Sequence, residues 1–154
     1  MEPTRVATAG FDKYAKTTRR AEFLREMEQV VPWALLCELI EPDYPKAGKG
    51  RRPAGLERML RIYFLQQWFN LSDPAVEEEL YESISMRRFV GIDLRIEPVP
   101  DMTTVSAFRQ SLERHELGRR LFDDVGRHLR ANGMEVSGGA IVDARIVVLK
   151  RGPA

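Results

Sequence analysis

Cysteine is all but missing from this sequence: Cys37 stands alone among 154 residues, so no intramolecular disulfide can form. Histidine is nearly as scarce, and with two of them no zinc-ligand spacing can be assembled. Net charge is also lacking. Lys plus Arg number 24 against 23 Asp plus Glu, a formal +1, which supplies no global field to draw the chain onto nucleic acid. Only the local distribution of charge can speak for such a partner. No apolar run reaches the roughly 18 to 20 residues of a membrane span, and the start MEPTRVATAG has no secretory hydrophobic core. A cytoplasmic protein without membrane contact is the expectation. Cys37, inside the apolar run VPWALLCELI, reads as an inert thiol rather than a nucleophile.

What is present is an apolar content of 44%, enough for one core in a chain of this length. Residues 1–16 read as a flexible N-terminus. Thr17 and Thr18 offer N-caps to a first helix, RRAEFLREMEQVV, with Phe23, Leu24, Met27 and Val31 at helical spacing. Pro32 suits the first position of a second helix that Pro42 ends. A basic loop over 43–55 follows, carrying Lys46, Lys49, Arg51 and Arg52 among glycines and prolines. Over 55–69 the stripe of Leu56, Met59, Leu60, Tyr63, Phe64, Gln67 and Trp68 is the clearest helical signal in the chain.

Ser72-Asp73-Pro74 opens another helix, with Val76, Leu80 and Ile84 as its inner face, a break near 83–85, and a short basic turn MRRFVG closed by Gly91. IDLRIEPVP reads as extended. Asp101 or Thr103 then caps a helix with Val105, Phe108 and Leu112 inward, and a last helix buries Leu117, Leu121, Val125 and Leu129 before the stop signal Asn132-Gly133. Trp33, Phe64, Trp68, Phe108 and Phe122 are core by spacing rather than stacking platforms, and the arginines of the last helices, Arg114, Arg119, Arg120, Arg127 and Arg130, read as helix-face ion pairs. The period changes at GGAIVDARIVVL, residues 138–149, a β-branched run that reads as a strand buried on both faces, with no other credible strand beside it. The fold class expected is mainly α: a helical domain over 17–133 containing a helix-turn-helix-like segment, then a single strand that would open a second, α/β domain.

The blocks LERMLRIYFLQQWFNLSDPAVEEELYESISMRRFVGIDL, PVPDMTTVSAFRQSLERHELGRRLF and GAIVDARIV, in that order, resemble bacterial insertion-sequence transposases with an RNase H-like DDE core, of the insertion-sequence-five type. The resemblance covers roughly residues 11 to 147. It implies an N-terminal helical region that helps bind the transposon ends, then a catalytic domain whose first strand carries the first metal-binding aspartate, which falls on Asp143. Two departures stand out: Arg145 follows the Asp-Ala pair where members usually have a small residue such as Thr, and the strands bearing the second Asp and the Glu are absent. The family enzyme works with Mg2+, a hard cation that needs several converging carboxylates, which a lone Asp143 does not supply. The expectation is therefore a truncated transposase with Asp143 vestigial, no cofactor bound by this chain and no catalysis by it alone.

Double-stranded DNA, in particular the terminal inverted repeats, is the implied partner. In a helix-turn-helix-like arrangement the helix from Thr103 would enter the major groove, with Thr103, Thr104, Ser106, Arg109 and Gln110 as readers of base edges. Arg87 and Arg88, with Lys46, Lys49, Arg51 and Arg52, would neutralise phosphates. Capping and surface roles are the competing readings for all of these. Two other functions stay open: a stand-alone DNA-binding repressor of transposition, and an interaction module that pairs with full-length transposase or with itself.

Overall fold

The computed structural model describes residues 16–43, 55–131 and 133. The basic loop with Lys46, Lys49, Arg51 and Arg52, and the strand at 138–149 with Asp143, lie outside the described residues. Among those described, the chain is mainly helical, with seven α-helices and no strand.

Helix α1 runs Arg19–Val30, and of the two candidate caps the structure uses Thr18, whose side chain accepts from the Ala21 N–H. It stops at Val31, which takes an extended backbone because Pro32 follows. Helix α2, Trp33–Ile40, starts one residue later than the sequence suggests, with Pro32 as its N-cap, and runs into a 3-10 turn at Glu41–Asp43. Helix α3, Leu56–Phe69, lies between left-handed residues at both ends, Gly55 at φ 86° and Asn70 at φ 55°.

Helix α4 is Asp73–Glu82, capped by Ser72. The break falls at Ser83, which ends α4 and caps α5, Ile84–Val90, through a bond from the Met86 N–H. The segment MRRFVG is thus helix rather than turn. This moves Ile84, expected on the inner face of α4, to the exposed first position of α5 at 63% exposure, and Met86 fills the core instead. Gly91 at φ 81° closes α5. Helices α6, Met102–Arg114, and α7, Leu117–Ala131, follow, capped at α6 by Asp101 rather than Thr103 and joined through Glu116 at φ 53°.

Helix α3 is the axis. It touches α2, α4, α5 and α6, and Leu56, Met59, Leu60, Ile62, Tyr63, Phe64, Leu65 and Trp68 on it are all buried. A stripe would leave one face wet; here only Gln67 among the seven stripe positions faces solvent, and Arg61 and Gln66 are buried instead. Aromatic rings fill the space around this axis. Phe23 meets Trp68 edge-on at 5.1 Å, Trp33 meets Phe64 at 5.4 Å, and Phe122 of α7 stacks on Phe64 at 4.9 Å. Such pairs add about 0.5–1.5 kcal/mol each beyond area burial.

Among the described residues Arg61 is the one cation within this core, 8% exposed. Its guanidinium lies over the Trp33 ring at 4.5 Å and the Phe89 ring at 5.0 Å, and donates to Glu28, Glu57 and the Phe89 carbonyl. Burial opposes its charge, but the bonds to Glu28 and Glu57 outweigh that and raise its pKa. The pair in turn holds Glu28 below the usual carboxylate range, chiefly through the Arg61 hydrogen bond.

Candidate nucleic-acid interface

Helix α6 sorts its residues cleanly by period. Val105, Phe108 and Leu112 point into the core, and Thr103, Ala107, Gln110 and Arg114, spaced four, three and four residues apart, lie on the opposite, exposed face. The inward face docks on α4 and α3, and α7 packs beside it. The principal helical partner of α6 is therefore α4, whereas α5 packs on α1, α3 and α4. That differs from the pairing of α5 with α6 implied by a helix-turn-helix built from MRRFVG. The segment between them, Gly91 to Asp101, is long enough to carry α6 past α5, and it is pinned by Ile92 and Val99 in the core.

A polar chain fixes the seat of α6. Gln66 of α3 donates to Asp73 at 2.8 Å, and Asp73 accepts two bonds from Arg109 of α6, Nε to Oδ1 at 3.1 Å and a terminal nitrogen to Oδ2 at 2.9 Å. Arg109 also reaches Glu113 at 3.0 Å. The Arg109 guanidinium holds the Asp73 carboxyl below its ordinary range, with help from Gln66 and the Ser106 hydroxyl. Bonding to Asp73 raises the pKa of Arg109 in return. Arg109 follows Phe108, so it stands at the edge of the buried face, where α4 is within reach.

The start of α6 is also occupied. Asp101 accepts from the Thr104 N–H at 2.9 Å and from the Thr104 hydroxyl, which lowers its pKa, and Glu77 of α4 accepts from the Met102 N–H at 2.9 Å. Two carboxylates thus take the N–H groups that would otherwise attract a phosphate. Gln110 donates to the Ser106 hydroxyl at 3.0 Å and is otherwise exposed.

Of the residues singled out from the sequence, Thr103, Thr104, Ser106, Arg109 and Gln110 are brought together on α6. Arg109 and Thr104 spend their donors inside the molecule, and Thr103 and Gln110 stay on the outer face. Arg87 turns back to donate to the carbonyls of Leu80 and Tyr81 at 2.9 and 2.7 Å, closing the end of α4. Arg88 is exposed on α5. The interleaved charges of the sequence place Arg114 among the helix-face pairs, yet it sits on the same outer stripe as Thr103 and Gln110 and makes no ion pair among the described residues. Its four-residue step from Gln110 was the signal that would have found it. On α7, Arg127 pairs with Asp124 as the interleaved charges suggested.

Among the described residues no three His, Cys, Asp or Glu side chains gather into a metal-holding group. Cys37 is half-buried, and burial, reinforced by the Glu57 charge, pushes its thiol up to about 11, the opposite of an activated nucleophile. Among the described residues no helix is long and apolar enough to cross a membrane.

These features belong to a helical platform that presents one polar helix face on a rigid core. Residues 12–111 match the family model described as Transposase domain (DUF772), and the chain belongs to that family. The match spans α1 through most of α6, including the whole polar chain from Gln66 to Arg109, and it supports a role in transposition. No solved structure matches the chain.

Proposed function

We propose that this chain provides the DNA-engaging, N-terminal part of an insertion-sequence transposase of the DDE superfamily, insertion-sequence-five type, and that α6 is the element that enters the major groove of the terminal inverted repeats. The observation that carries the reading is the outer face of α6: four exposed residues, Thr103, Ala107, Gln110 and Arg114, without a carboxylate among them. Such a set has the chemistry for base edges. Gln pairs with adenine, Arg with guanine, and Ala or the Thr methyl with the methyl of thymine. The Arg109–Asp73 ion pair ties the helix to α4 with that face outward.

In this reading the helical region recognises and positions DNA, and cutting and joining strands falls to acidic groups other than those described, with Mg2+ as the metal of the family enzyme. The test is a fluorescence anisotropy titration of the chain against a labelled terminal-repeat duplex and a scrambled duplex of equal composition. Tighter binding to the repeat, weakening steeply as salt rises, is the expected result. Equal affinity for both duplexes would remove α6 as a sequence reader.

A further inference from the structure

Arg25 of α1 and Arg88 of α5 line a cleft of about 350 Å³ between the two helices, together with the buried Leu24 and Phe89 and with Ala21, Glu28 and Ser85. Neither arginine is engaged by another described residue: no hydrogen bond or ion pair holds them. Arg20, on the same helix as Arg25, is matched by Glu79, whereas Arg25 is not. Two like charges facing one cleft repel, and folding gains nothing from bringing them there.

The carboxylate in the cleft does not answer them. Both oxygens of Glu28 accept from Arg61, and Glu57 shares the same guanidinium. Among the residues that line the cleft, Arg25 and Arg88 set two positive charges against the one of Glu28, which Arg61 already engages. Ser85 adds a hydroxyl, bonded to Ser83 at 3.2 Å and still able to reach a second partner. Planar guanidinium forks, a hydroxyl and a small apolar lining are the set that fits the oxygens of a phosphate together with an adjoining sugar.

We infer that the α1–α5 cleft is a phosphate seat in which Arg25 and Arg88 grip a single backbone phosphate of the bound duplex. The inference rests on the DNA-engaging reading above, and it adds a contact that lies on different helices from α6. Because both guanidiniums share one phosphate, losing either loses most of the contact. A phosphate contact positions the protein without reading sequence, so its loss weakens all duplexes alike.

The experiment measures affinity for the terminal-repeat and scrambled duplexes between 50 and 200 mM salt, using the whole chain and the variants Arg25→Gln, Arg88→Gln and both together. Both residues are exposed, and a thermal melt of each variant verifies the fold. The double variant is expected to bind roughly tenfold more weakly, with the slope of log affinity against log salt shallower by about 0.9, the loss of one phosphate. Each single variant should come close to the double, and the ratio of repeat to scrambled affinity should not change. A slope unchanged in the double variant overturns the seat while leaving the DNA reading intact, and a wild-type chain with no duplex affinity overturns both. Inorganic phosphate forms a separate arm. If millimolar phosphate raises the melting temperature of the wild type but not of the double variant, and the duplex slope is the same in both proteins, the cleft holds free phosphate and the proposal fails.

Discussion

Arg109 and Asp73, 36 residues apart, form a two-bonded ion pair that locks α6 onto the first turn of α4. Asp73 is 15% exposed at its side chain and Arg109 29%, so water competes only weakly for the pair. Arg109→Lys keeps the charge and loses the fork, and is expected to lower stability by about 1–3 kcal/mol in urea denaturation. Asp73→Asn should cost a similar amount. Since Arg109 positions α6 and does not itself touch DNA in this account, the charge-removing Arg109→Gln should leave the salt slope of duplex binding unchanged. A slope shallower by about one unit would return Arg109 to the role of a DNA contact.

Acid should undo the same bonds. The carboxyls of Asp73, Glu28 and Asp101 all lie below their ordinary values, held there chiefly by Arg109, by Arg61 and by the Thr104 N–H respectively. A depressed folded-state pKa gives stability that is complete above the unfolded value, about 4, and is lost as pH falls through the folded value. Urea midpoints should therefore be level from about pH 7 to 5 and fall below about pH 4. Asp73→Asn should make that fall shallower; an acid limb of unchanged steepness would mean that the Asp73 pair contributes nothing to it.

Arg61 tests whether the buried cation or its bulk matters. Arg61→Ala opens a gap between Trp33 and Phe89 and should cost about 2–5 kcal/mol. Arg61→Met refills it, and Glu28 and Glu57, each about half exposed at 51% and 48%, can return to water. An apolar replacement of a buried ion pair is often near neutral, so the Met variant should be clearly the milder in thermal or urea unfolding. Met as damaging as Ala would assign the stability to the charge network itself.

Gly118 on α7 lies under the Tyr63 hydroxyl, and a Cβ there would come within 2.7 Å of that oxygen. Gly118→Ala gains up to about 1 kcal/mol of helix propensity but meets an overpacking cost of about 1–3 kcal/mol, a net loss. With Tyr63→Phe the oxygen is gone, and the same Gly118→Ala change should become neutral or stabilising. A double-mutant cycle of unfolding free energies measures the coupling, and additive effects would contradict the contact.

The helices were legible because they carry their own punctuation. Thr18, Ser72, Asp101 and Gly91 sit at the ends that the sequence marks, and Phe23, Met27, Val105, Phe108, Leu121 and Val125 are buried at the spacing it displays. What escaped was set by tertiary partners. Arg61 and Gln66 look like solvent-facing residues of an amphipathic helix, and only the encirclement of α3 by four others turns them inward. Ile84 continues the apolar period of α4 in the sequence, yet a cap by Ser83 starts a new helix and resets the period. Arg109 and Arg114 are alike as letters. Their fates differ because Asp73 stands near one and not the other, a fact of the fold that no local spacing encodes.

If the outer face of α6 lies against base pairs, Ala107, the small exposed residue at its middle, lies against them too. Replacing Ala107 with a photo-crosslinking phenylalanine derivative, then irradiating the complex with a terminal-repeat duplex and mapping the adduct, is the most direct measurement. The account predicts a crosslink confined to one or two neighbouring bases of the repeat, lost when Gln110→Ala and Arg114→Ala are combined in the same chain. Tight duplex binding with no crosslink from position 107, or with adducts spread evenly along the DNA, would contradict it.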